Sequence, residues 1–152
     1  MTQVVIVEPL VEHKPAWRRL YQGYADFYRS PMTDEIADRL WSWLLDPSHV
    51  MEARLALNAK GEPVGLAHFR NLPRPLEATW AGFLDDLFVA PQARGSGVVE
   101  ALLAELRKIG RERGWTIIRW VTADDNYRAR SVYDRVGQRA MWITYQMDPQ
   151  DP

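Results

Sequence analysis

The sequence predicts a mixed α/β domain built on one layered sheet, and three observations carry that reading. Apolar residues switch along the chain between a spacing of two and a spacing of three to four, giving the order β-α-α-β-β-β-α-β-α-β. At 152 residues the chain has the length of one ordinary domain, 1–152, because two domains would each be left with a thin core. A hydrophobic share of 47% against 26% charged residues is that of a folded globular protein, and excludes a disordered or fibrous chain.

The elements follow in order. Residues 4–7, Val-Val-Ile-Val, form a β-branched run that reads as the first strand. From His13 to Arg29, Trp17, Leu20, Tyr21, Tyr24, Phe27 and Tyr28 recur at helical spacing until Ser30-Pro31 stops them. Thr33 reads as an N-cap, with Asp34 and Glu35 in the positive first turn, and Ile36, Leu40, Trp41 and Leu44 make the next stripe until Asp46-Pro47. Strand-like segments at 51–57, 64–70 and 79–89 are separated by Lys60-Gly61-Glu62-Pro63 and Leu72-Pro73-Arg74-Pro75, which predicts an antiparallel meander. After a glycine-rich turn, Val99, Leu102, Leu103, Leu106 and Ile109 give a helix ending at Gly110 or Gly114. Residues 115–122 read as a strand, 126–136 as a helix closed by Gly137, and 140–147 as a last strand.

Composition closes several chemistries. With no cysteine there is no disulfide, thiolate metal site or cysteine nucleophile. His13, His49 and His68 show no ligand spacing, so no metal is expected, and a solvated or core histidine is the better reading of each. No Gly-x-Ser-x-Gly elbow occurs. A net charge of −1 gives no reason to expect nucleic-acid or membrane binding. The charge is nonetheless uneven: residues 1–91 carry 9 basic and 12 acidic side chains, and residues 92–140 carry 10 and 6. No apolar stretch is long enough for a membrane helix, and the first residues lack a signal-peptide pattern, so a cytoplasmic location is expected. The seven tryptophans, Trp80, Trp115, Trp120 and Trp142 among them, are assigned by default to core or dimer packing. Trp142, Ile143 and Tyr145 would support a homodimer.

The most specific local signal is the run from Leu87 to Val98, in which a strand leads into Gly95-Ser96-Gly97 and a helix begins on those glycines. That geometry aims unpaired N–H groups and the positive helix end at one point, where a phosphate fits. Gly95 and Gly97 allow close backbone approach, and Arg94 can add a charge-assisted contact. An ordinary glycine turn before a helix is the bland alternative. The third glycine of a dinucleotide fingerprint and the Gly-Lys-Ser/Thr of a P-loop are both missing, which argues against NAD or ATP held in those ways.

Gln92-x-x-Gly95-x-Gly97 after a strand, followed by Asn126-x-x-Ala129-x-x-x-Tyr133-x-x-x-Gly137, resembles the acetyl-CoA-binding core of the GNAT N-acetyltransferase superfamily. The motifs cover roughly 85–137, and the element order extends the resemblance over nearly the whole chain. Leu84-Asp85-Asp86-Leu87-Phe88-Val89 and the aromatic first helix look most like the diamine and polyamine acetyltransferases. One departure is Val99, where such proteins commonly carry a small residue.

The resemblance implies a GNAT acyl-CoA N-acyltransferase fold: a central mixed, mostly antiparallel sheet with helices on both faces. It implies that the backbone of Leu87, Phe88 and Val89 pairs with the pantetheine arm, while Gln92 and the amides of Arg94, Gly95, Ser96, Gly97, Val98 and Val99 hold the pyrophosphate. Asn126, Ala129 or Arg130, and Tyr133 share a helix face that would line acetyl-CoA. Tyr133 is implied as general acid toward the sulfur, and Asp85 as general base acting through water, since an alkylammonium with a pKa of about 10.4 must lose a proton before attack. Because successive strand residues face opposite sides, only one of Asp85 and Asp86 is expected in the cleft. Tyr133 as packing, Asp85 as a salt-bridge partner and Asn126 as a helix cap are the structural alternatives.

For the acceptor, the first two helices offer Tyr24, Phe27, Tyr28, Asp34, Glu35, Asp38 and Trp41, suited as a region to an alkylammonium group. The expected activity is direct acetyl transfer to a primary amine of a small diamine, polyamine or amino-acid-like molecule. A protein lysine or N-terminal amine, or an acyl-CoA-binding module without catalysis, are the alternatives.

Overall fold

The computed structural model describes residues 3–152 and divides into two compact units, one ending at Val121 and one beginning at Thr122. The first holds a five-stranded sheet in sequence order: β1 (Val5–Val7), β2 (Glu52–Leu57), β3 (Pro63–Arg74), β4 (Thr79–Val89) and β5 (Trp115–Trp120). The first three pairings are antiparallel, and β4 with β5 is parallel. A parallel pair requires a crossover, and α3 (Val98–Arg113) supplies it.

Helices α1 (Lys14–Phe27) and α2 (Asp34–Leu45) join β1 to β2. Of the stripes read from sequence, Trp17 and Leu20 of α1 pack with Trp41 and Leu44 of α2, and with Ala37, against Ala53, Leu55 and Leu66 of the sheet, whereas Phe27, Tyr28 and Ile36 are exposed. Thr33 caps α2 as expected, its Oγ1 accepting from the Ile36 N–H at 3.1 Å. The opposite sheet face belongs to α3, where a Cβ on Gly65 would lie 2.7 Å from Val98 Cγ1, so adjacent residues Gly65 and Leu66 serve the two faces. Helix α3 ends at Gly114 with φ +72°, not at Gly110, which lies under Trp115.

Strand β3 runs through the proline-bearing segment expected to be a separator, with Pro73 opposite Trp80. Its pairing with β2 ends at Phe69, so beyond that residue one edge of β3 is unpaired and tolerates proline. Between β3 and β4 the register passes from His68↔Asp86 to Phe69↔Leu84, which leaves Asp85 without a partner as the extra residue of a β-bulge. On its other side β4 pairs with β5 only as far as Leu84↔Trp120.

The second unit holds α4 (Tyr127–Val136), whose N-cap Asn126 accepts from the Ala129 N–H at 3.3 Å. The strand expected at 140–147 is not formed: no strand occurs among the described residues after Trp120. Alternating apolar residues supply β propensity, but a strand exists only with a hydrogen-bonded neighbour, and none pairs here. Met141, Trp142, Ile143, Tyr145 and Met147 are consequently exposed. Among the described residues no helix is long and apolar enough to cross a membrane.

Gly82 tests the packing of the sheet under α3. A Cβ there would stand 2.3 Å from Trp115 Cζ3, and the indole is held by its Nε1 donating to Asn71 Oδ1 at 2.8 Å. Gly82→Ala, which would otherwise favour a strand, is expected to lower stability by about 1–3 kcal/mol through overpacking. Urea denaturation followed by tryptophan fluorescence measures it.

Candidate active site

The bulge at Asp85 changes which way the carboxylates point. Strand alternation predicts Asp85 and Asp86 on opposite faces, and the structure corrects this: the extra residue breaks the alternation, and both side chains lie on the face that carries α1. Asp86 Oδ2 accepts from the Tyr21 hydroxyl at 3.0 Å and stands 2.8 Å from His68 Nδ1. Asp85 takes Arg70 Nε at 3.1 and 3.3 Å on its two oxygens. His68 and Arg70 are two apart on β3 and so share that face.

Burial pushes Asp86 up, but hydrogen bonds from His68, Tyr24 and Tyr21 more than offset it and hold the carboxyl below its ordinary value. Asp85 is pushed up instead, first by burial and further by the Asp86 charge, with Arg70 only partly opposing. Two adjacent carboxylates are thereby driven apart in acidity, an arrangement that separates a permanent anion from a group able to take up a proton. Burial and the same carboxylate raise the phenols of Tyr21 and Tyr24, which remain donors. Both carboxyls keep a solvent-facing part, with 25% and 19% of the Asp85 and Asp86 side chains exposed.

Beyond Leu84 no strand among the described residues pairs with the β5-side edge of β4, while Leu87, Phe88 and Val89 stay paired to Ala67, Leu66 and Gly65 on the other side. An extended arm can add to such an edge as a strand. Val89 is buried, and Phe88 packs toward α1, where Gly23 makes room: a Cβ on Gly23 would lie 2.9 Å from the ring. Arg94 lies over Phe88, 5.5 Å from its centroid, and its Nε donates to the Val89 carbonyl at 3.1 Å.

The glycine turn has the conformation the sequence requires. Gly95 and Gly97 have φ +77° and +85°, and a Cβ on either would meet nothing within 4 Å, so backbone conformation rather than crowding demands glycine. Gly97 is the N-cap of α3 and brings no capping side chain, which leaves the first amides of the helix to an outside acceptor. Ser96 Oγ donates to the Ala93 carbonyl and tightens the turn, and Gln92 is exposed on the preceding turn Pro91–Ala93. Val98, with a buried side chain, contributes only backbone, and it rather than Val99 packs against β3. These residues fit a pyrophosphate followed by an extended arm.

Of the other expected site residues, Asn126, Ala129, Arg130 and Tyr133 lie in the second unit. Asn126 is a helix cap, as one alternative held. Arg130 donates to the Asp124 carbonyl, and the Tyr133 carbonyl accepts from the Gly137 N–H at 2.8 Å. In the acceptor region, Trp41 is core, and Asp34, Glu35 and Asp38 pair with Arg18, Arg39 and Lys14 on the surface. Sequence reasoning missed Tyr21, Arg70 and His68. Tyr21 and Arg70 are set against the carboxylates by helix docking and strand register, and His68 gave only the weak signal of a polar residue in an apolar strand.

A model of the acetyltransferase (GNAT) family matches residues 17–138. The chain belongs to that family. It is an N-acetyltransferase. A D-amino-acid N-acetyltransferase of Saccharomyces cerevisiae is 28% identical over 143 residues, 93% of this chain and 88% of that protein. A thialysine N-epsilon-acetyltransferase of Caenorhabditis elegans is 30% identical over 95 residues, 57% of each. Among solved structures, a probable acetyltransferase superposes with a TM-score of 0.83 at 24% identity over 99% of both chains. An aminoglycoside N-acetyltransferase in complex with CoA gives 0.82 at 18%, over 98% of this chain and 97% of that one. These structures share the fold.

The GNAT glycine turn yields a direct test. A β-branched residue at φ +77° is strained by about 1–3 kcal/mol, so the turn must rebuild. Gly95→Val is expected to weaken acetyl-CoA binding at least about tenfold in a folded protein. Calorimetric titration beside circular dichroism measures both; unchanged affinity would place the cradle elsewhere.

Proposed function

We propose that this GNAT enzyme uses acetyl-CoA to acetylate a primary amine of a small cationic acceptor, a diamine, a polyamine or an amino-acid-like amine, by direct transfer. The observation that carries the reading is the pair of carboxylates brought to one face by the bulge, at the point where the β4 edge opens, with the Tyr21 and Tyr24 rings beside them. Carboxylates and aromatic faces attract alkylammonium groups. The amine acceptors in the names of two relatives, D-amino acids and thialysine, are of the same small class.

When bound, acetyl-CoA supplies an activated acyl group. Within the first unit the residues that would hold it are the β4 edge at Leu87, Phe88 and Val89 and the turn from Gln92 through Val99; the family resemblance adds Asn126, Ala129, Arg130 and Tyr133. Asp85, the carboxyl driven up, is the proton acceptor for the ammonium. Arg70 fixes its orientation. The Tyr133 phenol holds the proton to be donated. An exposed Met141, Trp142, Ile143, Tyr145 and Met147 support a homodimer through this segment. Sedimentation velocity is expected to show two copies, and Trp142→Glu to shift the population toward one.

Thiol release from acetyl-CoA, screened against diamines, polyamines, free amino acids, aminoglycosides and lysine peptides, tests the acceptor. Turnover confined to small amines is the expected result, and turnover confined to peptides would assign a protein substrate. Tyr133→Phe is expected to lower kcat about tenfold or more while acetyl-CoA affinity changes less than about twofold. Unchanged kcat would remove Tyr133 from proton transfer.

A further inference from the structure

His68 is fully buried, yet its two ring nitrogens meet different partners. Trp17, also fully buried, directs its indole Nε1 at His68 Nε2 across 3.0 Å. An indole nitrogen can only donate, so Nε2 must offer a lone pair and the single ring proton must sit on Nδ1. Nδ1 stands 2.8 Å from Asp86 Oδ2, and its N–H is therefore aimed at that carboxylate. Both ring nitrogens are thereby committed, Nε2 as acceptor and Nδ1 as donor.

Asp86 in turn gathers two donors on one oxygen: His68 Nδ1 and the Tyr21 hydroxyl both reach Oδ2, with the Tyr24 ring stacked beside Tyr21. A carboxylate offers about four acceptor positions, so these two donors leave room for an incoming N–H. The groups facing this centre are Trp17, Tyr21 and Tyr24 from α1, Asp85 and Asp86 from β4, and Arg70 from β3; the residue opposite His68 on β2 is the uncharged Ala53.

We propose that His68, fixed by the Trp17 indole as a neutral Nδ1–H donor, is a positioning residue that keeps Asp86 an oriented anion for the acceptor's ammonium group and leaves proton uptake to Asp85. The proposal rests on the small-amine reading of the same site. Loss of the His68 donor would strip Asp86 of a charge-assisted hydrogen bond without touching the glycine turn, so the acceptor's KM carries the effect and the acetyl-CoA KM does not.

The experiment has a spectroscopic arm and a kinetic arm. In nitrogen-15 spectra of the wild-type protein, His68 is expected to show the Nδ1–H tautomer. The signal is assigned by its loss in His68→Asn. An Nε2–H tautomer overturns the proposal. Trp17→Phe removes the indole donor and is expected to let the Nε2–H tautomer appear; a His68 that keeps only the Nδ1–H tautomer would overturn the proposal.

In the kinetic arm, His68→Leu is expected to raise the acceptor KM about tenfold with the acetyl-CoA KM within about twofold, and His68→Asn, which retains an N–H, to recover most of the loss. Equal acceptor KM for the leucine variant and the wild type overturns the proposal. Should the leucine variant fail to fold, the wild-type and Trp17→Phe spectra still decide. Failure of the small-amine reading looks different: wild-type protein would release no thiol with any small amine.

Discussion

Strand β4 is paired along both edges as far as Leu84 and along one edge beyond it, and the site depends on that change. A continuous sheet would leave no free N–H or carbonyl groups for an extended arm to meet. The bulge at Asp85 falls at the same place, where β5 gives up contact, and an extra residue bends a strand and increases its twist. The free edge then leads directly through Ala90 into the glycine turn and the uncapped start of α3. Edge, turn and helix end form one path because they are consecutive in the chain.

The same bulge creates an electrostatic problem and the solvent-poor setting that makes it useful. Two neighbouring carboxylates on one face repel, and burial penalises both. The structure resolves this unequally, with hydrogen bonds concentrated on Asp86 and a guanidinium beside Asp85. A symmetric solution would give two similar acids. The unequal one gives one carboxyl held below its ordinary value and one raised above it.

Much of this was legible along the chain where the determinants are local. The Thr33 cap, the Trp17-Leu20 and Leu102-Leu106 stripes, and the demand for glycine at 95 and 97 follow from spacing and from backbone conformations that only certain residues adopt. The end of α3 at Gly114 rather than Gly110 was not, because both are glycines and only the packing of Trp115 distinguishes them. Pro73 misled for a related reason: whether a proline interrupts a strand depends on which edge faces a neighbour. Tyr21 and Arg70 were hidden because nothing near them in sequence names the residues they meet.

The sequence by itself determined most of the elements, the family and the glycine turn, since each is written in short-range pattern and backbone preference. Tertiary structure alone decided that Asp85 and Asp86 share a face, that Arg70 and His68 take one each, and that residues 140–147 form no strand. These outcomes depend on register and pairing between segments far apart in the chain. A shift of one residue in register turns a side chain from one face of a sheet to the other, and no local pattern records it.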